Sequence, residues 1–155
     1  GNREKGTIHF NDTAGSMARD SVTNASSVVR MITGKNLSDY DVHVNVVGGG
    51  NIDGPSAGAA ITCAIISALT GKPLRQDIAV TGEISLSGRI KPVGGIAEKA
   101  FGAHQGGMKA ILIPKQNALD MGSEYMHMKV IPVDTIQDIL EHMLVRKKQK
   151  MKGSK

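Results

Sequence analysis

The stretch from Gly54 to Gly71, "GPSAGAAITCAIISALTG", constrains the fold more than any other. It is built of Ala, Ile, Leu and small polar residues and carries no charge, with Pro55 near what should be the first turn of a helix. A helix that is apolar nearly all round has to be buried nearly all round. The rest of the chain must therefore wrap this segment, from about Pro55 to Thr70, and Gly71 and Pro73 supply its stop.

The flanking sequence offers the wrapping. "GTIHF" (6–10) reads as a short strand. Residues 15–33 read as a helix with Val22, Ala25, Val28, Val29 and Ile32 at helical spacing and Gly34 as the stop. "DVHVNVV" (41–47) alternates and is rich in β-branched residues, so it predicts a strand with Val42, Val44 and Val46 on one face, followed by a loop at Gly48–Gly50. "DIAVTGEISLSGRIKPV" predicts strand, turn and strand, with the turn at Ser87-Gly88. A helix over about 95–106, a strand "AILIP" (110–114), a short helix over 117–122 and a strand "KVIPV" (129–133) follow. The last helix is expected to start near Asp134 or Thr135, where Thr135 and Asp138 match a capping box, with Ile136, Ile139, Leu140 and Met143 as its apolar stripe. Strands and helices alternate loosely, so the fold class is α/β (α+β), a single domain over residues 1–145 with a mixed sheet and packed helices. Aromatic residues are only 3% of the chain, so the core has to come from Val, Ile, Leu, Ala and Met.

The net charge of +5 raises the question of a nucleic-acid partner. Six basic residues and no acid lie in residues 146–155; taking those six from the nineteen leaves thirteen against fourteen acids, a body of net charge −1. The basic character thus belongs to a C-terminal tail expected to be disordered, and with few aromatics to stack bases, nucleic acid is not expected as a partner. No apolar run approaches the roughly 20 residues that cross a bilayer, and "GNREKG" at the start carries no apolar signal segment, so no membrane association is expected. The one cysteine, Cys63, sits in an apolar row and fits a reducing compartment, cytoplasmic or, as the alternative, the mitochondrial matrix.

Ser56 stands where the buried helix should begin, in "DGPSAG" (53–58). Three readings compete. Serine is a preferred helix cap. A Gly-rich turn before a helix can bind phosphate, although the Gly-Lys-Ser/Thr ending of a P-loop is missing and Asp53 would repel the anion. The third reading is a nucleophile, for which the exposed N–H groups of a helix start can stabilise an oxyanion. A serine nucleophile needs a base. His9, His43, His104, His127 and His142 form no motif, and surface roles suit them. A lysine base has to be partly buried to give up its proton. Lys99 follows Ile96 by three residues and precedes Ala103 by four, which puts it on an apolar helical face, where it could equally snorkel to water. Lys91, before Pro92 in a strand, is the rival base.

Taken together, "DGPSAG" (53–58), "TGEISLSGRIKPVGGIAEK" (81–99) and "AHQGGMKAILIP" (103–114) resemble the proteolytic domain of Lon proteases. The resemblance implies a serine endopeptidase with a Ser-Lys dyad: Ser56 matches the nucleophile and Lys99 the catalytic lysine after the Gly-Gly pair, which decides against Lys91. Thr81 matches a threonine near the dyad that helps orient the lysine, and Asp53 an acid that helps shape the site. Bacterial A-type members carry histidines on the strand before the serine, where this chain has His43 and Asn45, and "DGPSAG" argues against the archaeal membrane-anchored B-type branch, so the resemblance leaves the subtype open. The resemblance further implies an AAA+ ATPase module upstream; no Walker motif occurs in these 155 residues, so ATP and Mg are expected for that module and no cofactor for this domain. Homo-hexameric rings and unfolded or damaged protein substrates are implied likewise. Two rivals come from other classes: a small-molecule kinase of the GHMP type, similar in fold, and a non-catalytic assembly domain in which Ser56 is only a cap.

Overall fold

A computed structural model describes residues 8–10, 18–44 and 57–145; the side chains of 8–10, 18–22 and 42–44 are outside that description. The elements run in the order β1 (Ile8–Phe10), α1 (Ala18–Thr33), a 3-10 turn (Leu37–Asp39), β2 (Val42–Val44), α2 (Gly58–Thr70), β3 (Ile78–Val80), β4 (Glu83–Ile84), β5 (Ile90–Lys91), α3 (Ile96–Gln105), β6 (Ala110–Pro114), α4 (Lys115–Met121), β7 (Glu124–Tyr125), β8 (Met128–Val133) and α5 (Ile136–Met143). This is the expected α/β fold with parallel and antiparallel pairing. The strands, however, divide among three small sheets: β1 with β2, the order β3-β6-β8-β7, and the hairpin β4-β5.

The uncharged segment forms α2 and is buried as its composition demands. Gly58, Ala59, Ile61, Thr62, Cys63, Ile65 and Ile66 are all inside, and α1 lies along it with Ala25, Val28 and Val29 fully buried. Gly71 takes the left-handed conformation at φ 70° and returns its N–H to Ser67 O at 2.9 Å, closing the helix where the sequence says it should close.

Strand β6 is the centre of the larger sheet, parallel to β3 on one side and to β8 on the other. Every residue of "AILIP" is buried, as a central parallel strand covered on both faces requires. Its alternation sorts the core into two clusters. Ala110 and Leu112 join α1, α2 and α5, while Ile111 and Ile113 join Ala100 of α3 together with Met128 and Val130 of β8. Helices thus cover both faces of the sheet, and α5 packs Ile136, Ile139 and Met143 into the first cluster behind the expected capping box of Thr135 and Asp138.

Three local expectations are corrected. The segment predicted as strand, turn and strand is broken between β3 and β4, because Gly82 at φ 149° turns the chain out of the large sheet into the hairpin. The turn itself lies where predicted, with Gly88 N–H on Ser85 O at 3.0 Å. Helix α4 begins at Lys115, two residues before the predicted start, because Pro114 ends β6 at φ −57° and feeds the chain straight into the helix. Strand β7 was not predicted at all: Tyr125 pairs with Met128 across a two-residue turn, Met126 and His127, both at positive φ (51° and 71°). Such a turn is usually signalled by Asn-Gly, and "MH" gives no such signal.

Candidate active site

The start of α2 is locked against the "TGE" segment. Ala59 N–H donates to Gly82 O at 3.0 Å, and a Cβ added to Gly58 would stand 3.1 Å from Ile84 N. Gly82 is wedged harder still. A Cβ there would come within 2.6 Å of Ile90 Cγ2 and 3.4 Å of Pro114, with Ala59 next, so α2, β5 and the end of β6 converge on it. Glycine is required at that crossing by space and by backbone conformation together.

Thr81 is the residue before this wedge. Its N–H is held by Leu112 O of β6 at 3.1 Å, and the residue is only 6% exposed. Among the described residues the buried polar side chains are Thr62 and Thr81. Thr62 is satisfied, donating to Gly58 O at 2.8 Å, whereas the Thr81 hydroxyl has no partner among the described residues. A buried hydroxyl left without a partner costs stability, and such groups concentrate where chemistry needs them.

Lys99 lies in the first turn of α3. The helix starts at Gly95, whose φ of 65° makes the sharp entry, and Lys99 N–H bonds back to Gly95 O at 3.0 Å. Ala100 is fully buried and Ile96 and Ala103 are half-buried on the second core cluster, so Lys99 shares the apolar face as its spacing predicts. The residue is half-buried, and its side chain folds back over the turn, Nζ donating to Gly94 O at 3.2 Å in a solvent-exposed hydrogen bond. The turn in its own right is held from outside: Val93 N–H donates to Asn117 Oδ1 and Asn117 Nδ2 donates to Val93 O, both at 3.0 Å. Asn117 carries no sequence signal for this, since an Asn near a helix start reads as a cap or a loop residue.

The structure thus brings Thr81 to the first turn of α2 and gives Lys99 a defined seat. Ser56 and Asp53 lie outside the described residues. Ala57, the residue before α2, is already in a helical conformation (φ −91°, ψ 0°), so the capping reading of Ser56 falls outside the described residues. Lys91, the rival base, is exposed on β5 in register with Glu83. His9 and His43 are paired in register across the parallel strands β1 and β2, His104 is half-buried at the end of α3, and His127 and His142 are exposed. Cys63 is buried in α2, and burial pushes its thiol up to about 12, well away from thiolate chemistry. Among the described residues no His/Cys/Asp/Glu group has a metal-binding arrangement, and no helix is long and apolar enough to cross a membrane.

The sequence matches the family model described as the Lon protease (S16) C-terminal proteolytic domain over residues 2–146. Among curated proteins, it is 43% identical over 130 residues to Lon protease 2 of Bacillus subtilis, covering 84% of this chain and 23% of that protein. It is 40% identical over 138 residues to the archaeal Lon protease of Archaeoglobus fulgidus (86% and 22%), and 40% identical over 147 residues to the Lon protease of Haemophilus influenzae (88% and 18%). The chain therefore spans about a fifth of the length of these relatives. The archaeal relative and the Haemophilus one are thus equally similar to this chain in overall identity.

Proposed function

The chain belongs to the Lon protease (S16) family as its C-terminal proteolytic domain, and on that premise we propose that it cleaves peptide bonds with a Ser56–Lys99 dyad through an acyl-enzyme. The observation that carries this reading is the seat of Lys99. This half-buried lysine is turned back onto Gly94 O at the mouth of α3 by a hydrogen bond at the solvent edge. The carbonyl takes one N–H of the amine and so limits rotation about the Cε–Nζ bond.

In the proposed reaction, neutral Lys99 takes the Ser56 proton as the hydroxyl oxygen attacks the peptide carbonyl. The tetrahedral oxyanion needs donors at the start of α2. Ala59 N–H is already committed to Gly82 O, so the N–H groups that precede it, at Ala57 and Gly58, are the ones to serve. The lysinium then gives its proton to the departing amine, the ester to Ser56 forms, and the regenerated amine activates a water that releases the acid. Thr81, buried and with a hydroxyl that has no partner among the described residues, supports the lysine and the nucleophile. Asp53 shapes the approach to the serine. No metal or organic cofactor takes part in these steps.

For the whole protein we propose ATP-dependent degradation of unfolded or damaged proteins in the cytoplasm, by a homo-hexamer in which an AAA+ module using ATP and Mg unfolds the substrate. The small-molecule kinase alternative is tested by titrating the chain with Mg-ATP, where binding would favour it.

The deciding experiment is casein degradation by the longer protein that carries this domain, as wild type, Ser56→Ala and Lys99→Ala. Each variant is expected to lose cleavage by at least a thousandfold, on the order of what removal of a catalytic triad member costs, with its circular dichroism unchanged. Wild-type cleavage by folded Lys99→Ala would show that the dyad assignment is wrong.

A further inference from the structure

We infer that Asn117 is a positioning residue for Lys99. The inference rests on the dyad reading above and adds a residue to it that no sequence motif marked.

The reasoning starts from what the Val93 peptide lacks. Strand β5 ends at Lys91, and Pro92 has no N–H, so the hairpin ladder cannot continue through the segment that leads to Lys99. Without a partner, Val93 and the two glycines after it would be free to sample many conformations, glycine most of all. Asn117 fills the missing rung. Its carboxamide presents an acceptor and a donor side by side, as a neighbouring strand's peptide would, and takes both groups of Val93 at 3.0 Å. Val93 and Asn117 are half-buried, so water competes poorly for either bond.

The other end of the clamp is rigid. Asn117 is the third residue of α4, which follows Pro114 with no intervening loop, and Pro114 is the last buried residue of β6, in register with Val133 of β8. On the far side, Val93 is followed by Gly94, whose carbonyl holds the Lys99 amine at 3.2 Å, and by Gly95, whose carbonyl holds the Lys99 N–H. Two hydrogen bonds from one side chain thus connect the central sheet to the turn on which the lysine rests. A general base must be held close to its productive geometry, and small displacements are expensive in rate.

Two variants test this. Asn117→Ala removes both bonds, and Asn117→Asp keeps the size while replacing the donor to Val93 O with an acceptor. In the longer protein, cleavage of a fluorogenic peptide is followed from pH 6 to pH 10 for both variants, with Lys99→Ala beside them. Each Asn117 variant is expected to lower kcat about tenfold or more with KM within twofold, and to move the pH at which kcat/KM reaches half its maximum. In the 155-residue chain, hydrogen exchange of the 93–99 amides is expected to quicken about tenfold, and the Lys99 13Cε resonance to shift, while thermal melting still shows a cooperative fold. Unchanged exchange and an unmoved Lys99 resonance in either folded variant would overturn the clamp, as would a change confined to KM. If Lys99→Ala keeps wild-type activity, the dyad reading fails on its own, and the exchange and resonance data still judge whether Asn117 positions Lys99.

Discussion

Thr81 and Thr62 are both buried, yet a change to valine should affect them in opposite ways. Thr62→Val loses a hydrogen bond to Gly58 and is expected to destabilise by about 1 kcal/mol. Thr81→Val removes a hydroxyl that has no partner among the described residues, so urea denaturation should show stability unchanged or raised by up to ~1 kcal/mol. If Thr81 supports the dyad, the same variant loses peptide cleavage tenfold or more. A folded Thr81→Val with full activity would remove Thr81 from the site. Legibility differs by residue for the same reason. The place of Lys99 on an apolar helical face was legible because three- and four-residue spacings report such a face directly, and the resemblance, not the spacing, singled it out over Lys91. Asn117 was invisible because its role depends on a contact with a residue 24 positions away, and nothing in its own neighbourhood encodes that contact.

At the scale of elements, the capping box of α5 links the fold to pH. The Asp138 carboxyl is held below the usual carboxylate range, chiefly by the backbone N–H of Asp134, with the N–H and hydroxyl of Thr135 adding and partial desolvation opposing. Because the folded value lies below the unfolded one, this stabilisation is fully present above the unfolded carboxyl value near 3.9 and is lost as pH falls through the folded value. Asp138→Ala should therefore cost about 1 kcal/mol in urea melts at pH 7 and distinctly less in melts at pH 2.5. An equal cost at both would show that the charge is irrelevant. The box, α5 and β6 were legible because each is specified by its own few residues. The break at Gly82 and the Met126-His127 turn were not, because one is forced by Ile90 and Pro114 pressing on the backbone and the other by the pairing of Tyr125 with Met128.

For the whole molecule, charge is unevenly distributed along the chain. The +5 net charge becomes −1 when residues 146–155 are left out. A chain ending at Val145 should pass through a cation exchanger at pH 7 that retains the full chain, with the melting temperature within about 2 °C, since Val145 N–H still reaches Pro73 O at 2.9 Å. Retention of the shortened chain would place a basic patch on the body.

Strand β6 and the turn of helix after it also set an order in time. Thr81 takes its backbone partner from Leu112, and Val93 takes both of its partners from Asn117. A ribosome delivers Ser56, Thr81 and Lys99 before either of those anchors. The newborn domain thus carries the side chains proposed for its chemistry for a stretch of synthesis during which the supports of Thr81 and of the Lys99 turn do not yet exist, and both arrive together, within six residues of one another.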